Sequence, residues 1–309
     1  MRIVFMGTPD FAVPALETLL ESEHQVIGVV TQPDKPKGRG KAMQMPPVKV
    51  KALEYNIPVF QPVKIRNEEA INHLKKWNPD AIIVAAFGQI LPGEIINMPR
   101  YGCLNIHASL LPKYRGAAPI QQAVIDGETE SGVTIMKMDE GLDTGAMVKK
   151  ASVLLDKKET GESLHDKLSV LGGPLILDVL QELEEGRAVF EEQKNEESSY
   201  AKMLKKDMGQ IDWNKTAIVL ERLIRGLNSW PSAYTQYEGK TLKIWDADVV
   251  EKNTALKPGC VVYKDKAAIY VQTGDGLLKI KEVQLEGKKR MDMGAFLRGY
   301  QIEEGMILQ

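Results

Sequence analysis

Short apolar runs that recur at helix-length intervals through the first half of the chain most narrowly limit what it can fold into. RIVFMG at 2–7, QVIGVVTQ at 25–32, IPVFQ at 57–61, DAIIVAAF at 80–87 and CLNIHAS at 103–109 are each long enough for one strand. Runs that are apolar nearly throughout, rather than at every second residue, belong to strands covered on both faces. The expected class is therefore α/β, with a mostly parallel sheet and helices on both faces. Between the first two runs, Ala15, Leu16, Leu19 and Leu20 form one helical stripe, and Pro14 makes that helix begin late or kink.

The pattern changes after residue 184. Half of the residues in 184–207 are charged, the mark of a solvated connector. Beyond it, Leu220, Leu223, Ile224 and Leu227 recur at helical spacing, with Arg222 and Arg225 off that face. Strand-like runs then follow at 232–238, 241–250, 258–263, 267–272 and 277–284, with Gly274-Asp275-Gly276 as a hairpin turn. Five short strands suggest a small barrel of the OB-like kind. A chain of 309 residues has room for two such domains. The expected division is a Rossmann-like domain at 1–189, a linker at 190–206 and a β-barrel domain at 207–309.

Composition excludes several classes. Forty basic residues against 42 acidic ones give a formal charge of -2, so no overall field draws the chain to nucleic acid or an anionic membrane. Two cysteines and four scattered histidines provide neither a disulfide framework nor metal-ligand spacing, and a reducing cytoplasm is the expected location. The opening MRIVFMGTPDF lacks a leader-like apolar region, and AIIVAAF at 81–87 is far too short to span a bilayer. The first turn, Gly7-Thr8-Pro9-Asp10, lacks the later glycines of a dinucleotide fingerprint, which argues against nicotinamide or flavin. Gly38-Arg39-Gly40-Lys41 has the wrong spacing for a nucleoside-triphosphate loop.

Chemistry concentrates in CLNIHASLLPKYRGAAPIQQAVIDGETESGVTIMKMDEGLDTG at 103–145. Asn105 and His107, two apart on a strand, point to the same side and can address one carbonyl. An amide N–H with an imidazole is suited to holding an oxyanion. Asp143, between Gly141 and Gly145, sits in a turn from which a carboxylate could reach the histidine, orient it, or relay a proton from an attacking amine. Spacing alone leaves a second reading open: a hydrogen-bonded core histidine, an aspartate that serves its own turn, and an irregular loop at Ser109–Gly116.

The runs NIHASLLPKYRGAAP and GVTIMKMDEGLDTG resemble the folate-dependent formyltransferase and formyl-hydrolase superfamily. The resemblance implies that Asn105, His107 and Asp143 are catalytic and that Ser109, Leu110, Leu111 and Pro112 hold the tetrahydrofolate carrier. By the same likeness, Val84 to Gln89 line a pterin pocket, the donor is 10-formyltetrahydrofolate, and no metal is needed. GTPDFAVPALETL and the insertion TQPDKPKGRGKAMQMPPVKVKALE at 31–54 resemble the branch whose acceptor is methionyl-initiator tRNA. There Arg39 corresponds to a tRNA-binding loop residue, and the region after 206 to that branch's barrel. Lys35, Lys37, Arg39 and Lys41 make this a basic, Pro- and Gly-rich loop suited to phosphates. Lys202, Lys205, Lys206, Lys288, Lys289 and Arg290 are further candidate phosphate contacts, though a solvated face accounts for them equally. Alternatives within the superfamily are a formyltransferase acting on a small amine and a formyltetrahydrofolate hydrolase. A cytoplasmic monomer with no membrane partner is expected.

Overall fold

The computed structural model describes residues 1–37 and 42–309, so Arg39 and Lys41 lie outside the described residues. The first half holds β1 (Arg2–Gly7), α1 (Val13–Leu20), β2 (Gln25–Val30), the β3 (Lys35–Lys37) and β4 (Ala42–Gln44) pair, α2 (Pro47–Glu54) and β5 (Val59–Phe60). α3 (Glu68–Trp77), β6 (Ala81–Ala85), the single turn α4 (Gly93–Ile96), β7 (Cys103–His107) and β8 (Arg115–Gly116) come next. They are followed by α5 (Pro119–Asp126), β9 (Glu130–Lys137), β10 (Met147–Leu154), the long α6 (Gly161–Glu184) and β11 (Tyr200–Ala201). All five apolar runs are strands, and α1 starts late, with Pro14 in its first turn where no N–H is missed.

The main sheet has the order β10-β9-β7-β6-β1-β2-β5. Its middle is parallel, while β9 runs antiparallel to β7 and β10 antiparallel to β9. Both faces are covered. Val4, Met6, Ile82, Val84 and Cys103 pack with Leu74 of α3 and Ile95 of α4. On the other face α6 lies close enough to β7 that a Cβ on Gly172 would stand 2.6 Å from Ile106 Cγ2. Because β5 lies beyond β2 and β6 on the opposite side of β1, the strand order reverses between β1 and β6. In open α/β sheets ligands bind in the crevice outside the carboxyl ends of the strands at such a reversal.

Two compact units divide the chain. The first comprises 1–119, 130–154 and 165–201; the second comprises 120–129, 155–164 and 202–309. The sequence reading had put 120–129 and 155–164 in the first domain, because nothing in a local pattern reports which core a connecting segment joins. It also treated the whole of 190–206 as solvated linker, and residues 191–201 depart from that. Glu191 forms an antiparallel bridge to Met147, and β11 pairs in parallel with β8. This strap docks through backbone groups and polar side chains, which a hydropathy pattern does not register.

In the second unit α7 (Ala217–Gly226) and the strands β12 (Ala233–Tyr237), β13 (Lys240–Val250), β14 (Val261–Lys264), β15 (Ile269–Gln272) and β16 (Leu277–Leu285) follow the expected runs. β17 (Met291–Asp292) and α8 (Met293–Gly299) complete the unit. The order is β12-β13-β16-β15-β14, antiparallel throughout. Leu220 and Ile224 of α7 join Phe296 and Met293 of α8 in the core of this unit. Among the described residues β12 and β14 do not pair with each other; the C-terminal segment lies between them. Gln309 O accepts from Gln236 N at 2.6 Å, and Val261 N donates to Met306 O at 2.8 Å. The expected barrel thus closes through that segment rather than strand to strand.

No helix among the described residues is long and apolar enough to cross a membrane. Cys103 and Cys260 are both free and buried. Burial pushes the Cys103 thiol up to about 12, where almost none is thiolate at neutral pH. Neither cysteine should react with an aromatic disulfide reagent in native protein at pH 7, and both should react once the chain is denatured; prompt titration of the native form would contradict this burial.

Candidate active site

Period-two alternation along β7 sends Cys103, Asn105 and His107 to the same face. Cys103 ends in the core, whereas Asn105 and His107 stand at the carboxyl end of the strand, 9% and 6% exposed. Asp143 reaches the same place from the loop between β9 and β10. Asn105 Nδ2 donates to Asp143 Oδ1 at 3.4 Å, and His107 Nδ1 stands 3.8 Å from Asp143 Oδ2. The three residues singled out in the sequence therefore converge.

Two backbone groups complete the arrangement, and local sequence offered no signal for them. Gly116 N donates to Asp143 Oδ2 at 2.8 Å, the shortest contact that carboxylate makes here. Gly116 has φ +107, and a Cβ there would stand 2.7 Å from Ala201 O, so a side chain would push β8 off β11. Asp143 itself has φ +54, a left-handed conformation that Asp and Asn tolerate better than most side chains. The second group is Tyr114 O, 2.9 Å from His107 Nε2. A carbonyl only accepts, so Nε2 carries the hydrogen, and in the neutral ring Nδ1 turns its lone pair toward Asp143.

The expected folate-holding segment divides in two. Ser109 is buried and its hydroxyl donates to Lys113 O at 2.6 Å, while its carbonyl accepts from Thr134 Oγ1 at 2.7 Å. Leu111 is packed with Met136 and Met147, and its N–H donates to Thr134 Oγ1. Ser109 and Leu111 thus build the turn, which leaves Leu110 and Pro112 half-buried on its surface. The stretch 84–89 leaves the carboxyl end of β6 beside β7, with Val84 in register with Asn105. There Phe87 O accepts from Thr8 Oγ1 at 3.0 Å and Gln32 Nε2 at 3.3 Å, Gly88 takes φ +83, and Ile90 is exposed. Within 84–89, Val84 and Phe87 are buried while Ala86 and Gly88 are exposed. No cluster of three or more metal-ligating side chains occurs among the described residues.

Of the candidate phosphate contacts, Arg290 is committed: it forms an ion pair with Glu282 and lies 4.7 Å over the Trp245 ring. Arg39 lies outside the described residues.

A doubly wound sheet that brings an amide, an imidazole and a carboxylate together at its carboxyl edge, in a chain that also carries a separate antiparallel β unit, is chemically suited to group transfer at a carbonyl carbon. The formyl transferase family matches residues 1–180, and the formyl transferase C-terminal domain matches residues 203–301. A methionyl-tRNA formyltransferase from Agathobacter rectalis is 57% identical over 305 residues, covering 99% of this chain and 98% of that protein. One from Clostridioides difficile is 50% identical over 308 residues, covering all of both chains. The chain belongs to the formyl transferase family and, within it, to the methionyl-tRNA formyltransferases. Among solved structures, WlaRD, a sugar 3N-formyl transferase in the presence of dTDP and 5-N-formyl-THF, superposes with a TM-score of 0.69 at 21% identity. That match covers 94% of this chain and 99% of WlaRD, and at such identity it speaks for the fold.

The His107 geometry has a spectroscopic consequence. Nitrogen-15 correlation spectra of the neutral protein should show His107 as the Nε2–H tautomer; an Nδ1–H pattern would contradict the Tyr114 contact.

Proposed function

We infer that this chain, working as a cytoplasmic monomer, transfers a formyl group from 10-formyltetrahydrofolate to the α-amino group of methionyl-initiator tRNA. The observation that carries the reading is the convergence of Asn105, His107 and Asp143 in a chain that aligns end to end with methionyl-tRNA formyltransferases. When bound, the donor supplies a formyl carbon open to attack by an amine. A carbon–nitrogen bond forms to the methionyl nitrogen, the bond to the carrier nitrogen breaks, the amine gives up one proton and the carrier nitrogen gains one.

Each side chain has a part in that exchange. Asn105 has two amide hydrogens; with one turned to Asp143, the other is available to the oxygen on which charge grows. Loss of a single donor of this kind raises a barrier by about 2.7–4 kcal/mol. His107, its Nε2–H held by Tyr114, becomes a second donor while Nδ1 carries the amine's proton on its way from Asp143 to the carrier nitrogen, and the Asp143 carboxylate, ionised again, compensates the charge. Asp143 Oδ2 is anchored by Gly116, whereas among the described residues Oδ1 has only the long contact from Asn105. Oδ1 is thus the oxygen that takes the amine's proton, directly or through water. Leu110, Pro112 and the 84–89 edge hold the carrier, with Ser109 and Leu111 shaping the turn from behind. Arg39 engages tRNA phosphate.

Consumption of 10-formyltetrahydrofolate should require charged initiator tRNA and yield N-formylmethionine on it. Equal consumption without tRNA would point to a hydrolase and overturn the reading. His107→Ala should lower turnover by about 100- to 1000-fold, as loss of an oxyanion donor does, with the melting temperature retained. Asp143→Asn, which keeps the left-handed backbone, should lower kcat far more than it raises KM. Arg39→Ala should raise KM for tRNA and flatten its salt dependence by about one unit of log–log slope; an unchanged tRNA saturation curve would remove Arg39 from the interface.

A further inference from the structure

The loop that carries Asp143 is held from within by a side chain from the strap, 50 residues further along the chain. Gln193 is 9% exposed. Its Nε2 donates to Asp143 O and to Gly145 O, both at 2.8 Å. Both hydrogens of that amide are therefore used, one on each side of Thr144. Its Oε1 accepts from Arg115 Nε at 3.0 Å. The amide has only one orientation available, since two carbonyls face one end and an N–H faces the other.

Arg115 is the second part of the device. It is 2% exposed, gives Nη1 to Asn195 Oδ1 at 3.0 Å, leaves Nη2 without a hydrogen-bond partner, and pairs with no carboxylate among the described residues. A buried guanidinium held only by neutral amides is a costly arrangement for packing alone. Its backbone explains the placement: Arg115 N donates to Ser199 O at 2.8 Å, and the next residue, Gly116, holds the Asp143 carboxylate. Arg115 thus joins the carboxylate's anchor on one side to the amide that grips the Asp143 backbone on the other.

We propose that Gln193, supported by Arg115, is a positioning residue for formyl transfer: it fixes the height and direction of the Asp143 carboxylate relative to Asn105 and His107. This rests on the catalytic part assigned to Asp143 above. Asp143 needs such a hold because Gly141 and Leu142 before it are exposed. The turn's other ties, Asp139 Oδ1 to Gly141 N and to Thr144 Oγ1, lie at the surface. Without the amide, two largely buried carbonyls lose their donor and the loop relaxes toward water. A shift of about 1 Å in a reacting group can cost about 100-fold in rate.

The test uses full-length protein, 10-formyltetrahydrofolate and charged initiator tRNA, and compares wild type, Asp143→Asn, Gln193→Glu and Gln193→Met. In Gln193→Glu one carboxylate oxygen still meets Arg115, while the other faces two carbonyls with nothing to donate. Both Gln193 variants should lose about 100-fold in kcat, with KM for either substrate within about threefold and melting temperatures near wild type. Protonation of the carboxyl introduced by Gln193→Glu restores one donor, so the activity of that variant relative to wild type should rise as pH falls, whereas that of Gln193→Met should not. Near-normal kcat in both variants, with Asp143→Asn inactive, overturns the proposal alone. Activity lost only in proportion to lost folded protein makes Gln193 structural and also overturns it. An active Asp143→Asn, or a wild type that does not formylate tRNA, would instead bring down the function inferred above.

Discussion

The 2.8 Å hydrogen bond from Gly116 N–H to Asp143 Oδ2 ties together every part of the site. A carboxylate at the edge of a buried polar cluster gains little by being near an imidazole unless its direction is held, because side chains on exposed turns sample many rotamers. Here the direction is set by a backbone amide, a donor that cannot swing away. Gly116 is in turn placed by the β8–β11 ladder, which depends on the strap reaching back from the end of α6. The carboxylate's aim thus depends on a glycine 27 residues before it and on a strap that follows α6.

The rest of the site shows the same economy with polar groups. Asn105 and His107 are nearly buried, and in a medium of low dielectric an unpaired polar atom costs about 1–3 kcal/mol while a paired one is strengthened. Tyr114 O takes the histidine's Nε2–H, Thr134 Oγ1 links the Ser109 carbonyl with the Leu111 amide, and Gln193 satisfies two carbonyls of the Asp143 loop. These bonds make the site stiff before any ligand arrives. Preorganised donors work because their alignment has been achieved during folding rather than during reaction.

Legibility in the sequence followed the kind of force involved. Five of the seven strands of the main sheet and α1 were readable because hydrophobic burial leaves a trace in the residues themselves. Asn105 and His107 were readable as a pair because they share one strand and its period of two. Asp143 was readable only as a polar residue between glycines, and it was the family resemblance that linked it to them. Gln193, Asn195 and Arg115 left no trace: a polar residue in a charged stretch looks the same whether it faces water or a buried guanidinium. For that reason 191–201 read as linker, while its backbone and the side chains of Gln193, Asn195 and Ser199 are docked. The side chains of Ser109 and Leu111 are engaged within the turn, which the motif by itself did not reveal.

By itself, then, the sequence determined the five parallel strands of the first half, the helix and strand runs of the second unit, and the two residues of β7 that meet at one place. These follow from apolar periodicity, which is a local property of the chain. Only the tertiary structure decided how Asp143 is aimed, which nitrogen of His107 holds the hydrogen, that the second unit closes through its own C-terminal segment, and that the strap grips the Asp143 loop. Those features rest on hydrogen bonds between distant segments. Such bonds are short-ranged and directional, and they exist only once folding has brought their donors and acceptors within about 3 Å of each other.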